Sequence, residues 1–203
     1  MYIPHHYKNE NLAEVTDFLK KNSFGILINQ VDGKPWATHI PLELDIDEDG
    51  HDVLVSHISK ANPQWKSFEA NKNVLCIFNG PHSYISSSWY KEEEVPTWNY
   101  IAVHVYGTIK ILEETAVLAS LHKLVDKYEK DSKNPISIDK LSKNTMRQIK
   151  GIIGFKITIN KIQAAYKLSQ GREHDHPKIL EELEENGNEG SKAIASEMKK
   201  RLY

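Results

Sequence analysis

Asn79 to Gly107 reads NGPHSYISSSWYKEEEVPTWNYIAVHVYG, and its last third decides the fold. From Trp98 to Ile111, the apolar Ile101, Val103 and Val105 alternate with Tyr100, His104 and Tyr106. Side chains along a strand point to opposite faces in turn, so one face is core and the other is a contact or site face. Just upstream, Val74 to Phe78 predicts a strand, Asn79-Gly80-Pro81 a turn, and His82 to Ser86 the returning strand. The stretch also gathers Trp89 and Trp98 among Tyr, His, Ser and Asn. Aromatic faces beside hydroxyl and amide donors suit a planar ligand with polar edges. The same residue types suit a protein–protein interface, and composition leaves both open.

Outward from this stretch the pattern stays mostly β. Leu12, Val15, Phe18 and Leu19 recur at helical spacing and predict a helix over about 10–21. Gly25 to Ile28 then reads as a strand, Asp32-Gly33 as a hairpin turn and Trp36 to Ile46 as its partner. Asp49-Gly50 turns the chain again into Val53-Leu54-Val55, which predicts a three-strand meander. Asn62-Pro63 opens a short helix. Val117, Leu121, Leu124, Val125 and Tyr128 form the apolar stripe of a helix over about 114–130, with a smaller helical piece near 138–148. Ile152 to Ile162 is a β-branched strand, and two helices follow at about 176–186 and 190–202, around Asn186-Gly187-Asn188. Antiparallel strands joined by short turns predict a β-dominated α+β fold, a barrel of roughly six to eight strands with flanking helices and a C-terminal helical pair. Residues 1–171 are expected to form the barrel domain and 172–203 its helical extension. Val55, Cys76, Ile77, Val103, Val105, Phe155 and Ile157 are its expected core.

Composition narrows the function. Net charge is −2 over 203 residues, so no global basic field draws the chain to nucleic acid or anionic membrane. A single cysteine, Cys76, sits in an apolar run and excludes an internal disulfide, which fits a reducing cytoplasm. The N-terminus has no signal-peptide core, and no apolar run approaches membrane-spanning length. His5-His6 and His174-Asp175-His176 lack a third ligand at recognisable spacing, so no metal site is expected. Glu92-Glu93-Glu94 reads as a solvated loop and Lys199-Lys200-Arg201 as cations at a helix C-terminus. There is no Ser/His/Asp triad, P-loop or dinucleotide glycine motif, and no evident acid or base, which leaves enzymatic activity open.

Two segments could hold an anion. His57-Ile58-Ser59-Lys60-Ala61-Asn62-Pro63 runs from a strand into a helix start, where Ser59, Lys60 and backbone N–H groups would cradle a phosphate. The plainer alternative is a helix cap with an exposed lysine. Lys167-Leu168-Ser169-Gln170-Gly171-Arg172 carries two cations, a hydroxyl and an amide, enough to close over a phosphate or ring edge, or simply to link strand to helices. His104 could meet a ring edge or be a hydrogen-bonded sheet histidine.

With these motifs in order, the chain resembles the PaiB family. The resemblance rests on Tyr2-x-Pro4, Thr38-His39-x-Pro41, His57-x-x-Lys60-Ala61-Asn62-Pro63-Gln64-Trp65, the block from Gly80 to Tyr90, Val95-Pro96-Thr97-Trp98-Asn99-Tyr100, Val103-His104-Val105-x-Gly107 and Lys167-Leu168-Ser169-Gln170. It implies an FMN-binding split β-barrel, a homodimer with the cofactor at the subunit interface, and negative transcriptional regulation. DNA is a partner by the resemblance alone. The implied cofactor residues are Thr38, His39, Ser59, Lys60, Trp98, Asn99, His104, Lys167, Ser169 and Gln170, with Lys167, Ser169 and Gln170 reaching across from the partner subunit. A flavin-dependent oxidoreductase or haem-handling enzyme of the wider split-barrel group is the alternative. Two positions depart from the family pattern: Ser87 stands where proline is expected, and Gly171 where asparagine is usual.

Overall fold

The computed structural model describes residues 1–185 and 187–201. The expected turn residue Asn186 and the end of the expected last helix, Leu202, lie outside the described residues. The strands are β1 (Phe24–Val31), β2 (Lys34–Pro41), β3 (Glu43–Ile46), β4 (Asp52–Ser59), β5 (Asn73–Ile85), β6 (Thr97–Ile111) and β7 (Ile152–Lys167). The helices are α1 (Leu12–Lys21), α2 (Glu114–Glu129), α3 (Lys143–Met146), α4 (His176–Glu185) and α5 (Glu189–Lys199). Among the described residues the seven strands hydrogen-bond in the order β2-β1-β5-β6-β7-β4-β3, a sheet that no ladder closes. This is the split-barrel arrangement, with flanking helices and a C-terminal helical pair.

The described residues fall into two compact units, through both of which β5, β6 and β7 pass. The first comprises Met1–Phe18, Phe78–His104 and Gln163–Tyr203. Its core is Phe78, Ile85, Ile101 and Val103 from the sheet with Ile179, Leu183 and Ile194 from α4 and α5. Lys8 bridges Ala165 as a short antiparallel contact, and the Asn9 N–H donates to the Ala164 carbonyl at 3.0 Å. These contacts tie the N-terminal segment to β7.

The second unit comprises Leu19–Ile77 and Val105–Ile162. Asp32 and Gly33 take φ of 51° and 74°, the left-handed pair that a two-residue hairpin turn needs. β1 pairs with β2 through this turn, and β3 pairs with β4. The expected three-strand meander is therefore wrong: Trp36 to Ile46 is two strands, parted at Leu42, on opposite edges of the sheet. Pro41 has no N–H to continue a ladder, while Leu42 is fully buried and donates its N–H to the Ser23 carbonyl at 2.8 Å. The Ser56 hydroxyl of β4 donates to the Pro41 carbonyl, so a side chain joins two strands that no ladder connects.

Two further expectations need correction, and the small helical piece near 138–148 is borne out. The turn placed at Asn79-Gly80-Pro81 is absent, and β5 runs straight through it. Gly80 serves close packing there, because a Cβ would come within 2.7 Å of the Phe18 ring. Val55 and Ile77 are only half-buried, since each faces away from the core that their neighbours Leu54 and Cys76 enter. The region near 138–148 is α3 with 3-10 turns on either side (Ile138–Lys140 and Arg147–Gly151).

Candidate functional site

In the second unit β4 ends at Ser59, and the chain turns into a five-residue 3-10 helix, Pro63–Ser67. Asn62 caps it by accepting the Gln64 N–H at 3.0 Å. The corner was expected to offer free backbone donors, and it does not. The Lys60 N–H goes to the Gly151 carbonyl at 2.8 Å, the Ala61 N–H to Ser59 Oγ at 3.3 Å, and the Asn62 N–H to the Ser59 carbonyl at 2.9 Å. Pro63 has no N–H. What remains for an anion is the Ser59 hydroxyl proton and the Lys60 ammonium, both exposed. No carboxylate pairs with Lys60 among the described residues; its Nζ only reaches the Lys150 carbonyl at 3.5 Å. An ammonium and a hydroxyl on consecutive residues, with no carboxylate paired to the ammonium among the described residues, fit a phosphate.

Behind the corner lies a network that the sequence did not advertise. Gln64 is fully buried and donates through Nε2 to the Leu27 carbonyl at 3.2 Å and to Asn29 Oδ1 at 3.0 Å. The Thr38 hydroxyl donates to Gln64 Oε1 and accepts from Asn62 Nδ2 at 2.9 Å. Thr38 is thus brought to the corner as a support. His39, the next residue of β2, faces the other way and stacks on the exposed Phe24 ring, centroids 6.5 Å apart. His57 is half-buried, and burial holds its imidazole below the usual range. It lines a cavity of about 140 Å³ with Val55 and with Leu124 of α2.

In the first unit Trp98, Asn99 and His104 divide between the two faces of β6, while Lys167, Ser169 and Gln170 lie at the end of β7 and in the turn after it. Asn99 is fully buried, and its Nδ2 donates to Ser169 Oγ at 2.8 Å. Ser169 is itself buried, with φ of 62°, and its carbonyl accepts from His176 Nε2 at 2.9 Å. Gln170 folds back on its own turn, accepting the Leu168 N–H at 2.7 Å and donating to the Tyr166 carbonyl at 2.6 Å. Lys167 donates to the Thr97 hydroxyl and lies over the Tyr7 ring at 5.5 Å. Burial, with nearby Arg172 adding to it, lowers its affinity for its proton. Arg172 stacks over Tyr90 at 4.4 Å and pairs with Glu94 at 3.1 Å.

Gly171 has φ of 80°. Glycine and asparagine both tolerate this conformation, so the departure from the family pattern keeps the turn rather than loosening it. Ser87 begins a 3-10 turn, Ser87–Trp89, capped by Ser86, a first-turn position where proline and serine are both compatible.

Trp98 and His104 point to the face of β6 opposite Asn99. Trp98 meets His82 and Tyr84, at 5.4 and 6.1 Å between ring centroids. Burial, and to a lesser extent the chain's amino terminus, lowers the His104 imidazole pKa. That amino group donates to Gln163 Oε1 at 2.7 Å. The grouping of His82, Tyr84 and Trp98 could have been found by extending the β6 alternation to its partner strand.

Residues 1–161 match the family described as "Putative FMN-binding domain". The chain belongs to this family. Its whole length aligns at 46% identity with 98% of the Protease synthase and sporulation protein PAI 2 of Bacillus subtilis. An uncharacterised protein of Emericella nidulans is 29% identical over 99% of the chain and 97% of its own length. Among solved structures, a flavocytochrome from Azotobacter vinelandii matches with a TM-score of 0.65, covering 85% of this chain and 76% of its own, at 15% identity. A FAD and heme binding protein from Mycobacterium smegmatis matches with a TM-score of 0.61 over 79% of this chain and 73% of its own, also at 15% identity. At such identities the likeness is one of fold. The chain is a PaiB-like member of an FMN-binding family, and FMN is the cofactor that this membership carries.

Proposed function

We propose that this protein is a PaiB-like negative transcriptional regulator of the cytoplasm, which binds FMN as a homodimer. The observation that carries this reading is the full-length 46% identity to the Bacillus subtilis sporulation protein. Ser59 and Lys60 would hold the phosphate, with Thr38, Asn62 and Gln64 fixing the corner behind them. Bound FMN supplies a planar, redox-active ring; the chain's own part is to bind and orient it. Lys167, Ser169 and Gln170 would meet the cofactor from the partner subunit, their turn held by the Asn99–Ser169, Lys167–Thr97 and Gln170–Tyr166 bonds.

The dimer has support in the second unit. Ile26 pairs with His39 and Ile77, and Ile28 with Leu75, and directly opposed residues share a sheet face. Ile26, Ile28, Leu75 and Ile77 therefore form one apolar face, and all four are only half-buried. A second copy would cover it, in the isologous manner of most homodimers. DNA enters through the regulatory role, with no global positive charge to favour it. No helix among the described residues is long and apolar enough to cross a membrane.

Purified protein examined by light scattering and visible absorption tests this reading. A particle of twice 23.3 kDa carrying a flavin spectrum is expected, and deletion of the gene should raise transcripts of its targets. A strict monomer at micromolar concentration would refute the dimer, and rapid bleaching by NAD(P)H with turnover would assign an oxidoreductase instead.

A further inference from the structure

A cleft of about 390 Å³ lies in the first unit where β5 and β6 meet the turn between α4 and α5. This is within the size range of small-molecule sites. His82, Tyr84, Trp89 and Trp98 line it, and the Trp98 and Tyr84 side chains remain 51% and 47% exposed. Large ring surfaces left open in a concave place are available for a ligand. The walls are fixed by contacts behind them. Ser83 and Ser191 hydroxyls bond at 2.9 Å in the interior, and a Cβ at Gly187 would fall 2.2 Å from the Leu183 carbonyl oxygen.

The charge of the cleft chooses the ligand class. Glu182 lines it, and among the described residues no lysine or arginine does. Glu181, Glu182, Glu184, Glu185 and Glu189 stand within nine residues, against Lys178, which bridges Glu181 and Glu182, and Lys199, which bridges Glu184. The start of α5 also faces this region and its dipole would favour an anion. Yet the Ser191 N–H is already taken by Asn188 Oδ1 at 3.0 Å, and Glu189 sits in the first turn. An anion would meet the Glu182 carboxylate and find the Ser191 N–H already taken. The faces of indole and phenol rings attract cations.

We propose that this cleft binds a small organic cation, an alkylammonium or quaternary ammonium group seated against Trp98 with Glu182 as its counter-charge. The site does not rest on the Ser59–Lys60 phosphate corner and would survive its failure, although it takes Trp98, one of the cofactor residues that the resemblance implies, for this cleft.

Calorimetric titration with choline, its neutral isostere 3,3-dimethylbutan-1-ol and the anionic 3,3-dimethylbutyrate tests it. Choline is expected to bind at least about fivefold tighter than the neutral isostere, as a partly desolvated cation–π contact implies. Trp98→Ala should abolish binding, Trp98→Phe should retain part of it, and Glu182→Gln should weaken it severalfold, with folding checked by circular dichroism. Equal binding of choline and the alcohol, preference for the carboxylate, unchanged affinity in Trp98→Ala, or no binding of choline at tens of millimolar would each overturn the proposal.

Discussion

Asn99→Ala separates a residue that builds the fold from one that touches the cofactor. Asn99 is fully buried, its Nδ2 holds Ser169 Oγ at 2.8 Å, and its Oδ1 is buried with no partner among the described residues. Truncation leaves the Ser169 hydroxyl buried without its donor, which costs about 1–3 kcal/mol. It also opens a small void, for roughly another 1 kcal/mol. Against this, removing the unpartnered Oδ1 relieves a desolvation penalty of about 1 kcal/mol. The net loss is about 2 kcal/mol, and at about 2–4 °C per kcal/mol for a chain of this size the melting temperature should fall by roughly 4–8 °C. Urea unfolding of the apo protein gives the measurement, and the Asn99→Ala, Ser169→Ala cycle isolates the bond. A coupling of about 1 kcal/mol is expected. Strict additivity would show that the two side chains do not interact, and a tenfold loss of FMN affinity at unchanged stability would make Asn99 a cofactor residue.

Gly171→Ala should destabilise by about 1 kcal/mol, because φ of 80° disfavours a Cβ, whereas Gly171→Asn should cost less; thermal melts of the two variants check this. The His57 pKa is held below its ordinary 6.5 by burial, so on acidification the unfolded chain takes up this proton before the native one. Stability should therefore fall as pH drops below about 6.5, and His57→Gln should flatten that part of a urea-midpoint series from neutral pH downward. Burial raises the Cys76 thiol pKa far above its usual range, so iodoacetamide should label it only after denaturation.

Much of the β architecture was legible because side-chain alternation is a direct consequence of strand geometry. Ile101, Val103 and Val105 all lie in the core, and Asp32-Gly33 makes the turn its residue types demand. The errors have physical sources. Asn79-Gly80-Pro81 has turn composition, yet Gly80 is there to let Phe18 approach the sheet. Trp36 to Ile46 looks continuous in hydropathy, and only the missing N–H of Pro41 and the buried Leu42 divide it. The site was less legible. Residue types nominated Ser59 and Lys60 for a phosphate, but composition cannot say that the neighbouring backbone N–H groups are already bonded. Nor could it separate Trp98, which faces an open cleft, from Asn99 beside it, which faces the interior.

The central claim is that FMN binds through the Ser59–Lys60 corner, and a fluorescence titration of FMN into apo wild type and Lys60→Ala tests it most directly. An exposed lysine with no acid partner among the described residues contributes little to folding, so the melting temperature of the apo variant should be nearly unchanged. Loss of a charge-assisted phosphate contact costs about 1.5–3 kcal/mol, so the dissociation constant should rise roughly tenfold to more than a hundredfold. Equal dissociation constants, or no FMN binding by the wild type, would contradict the account.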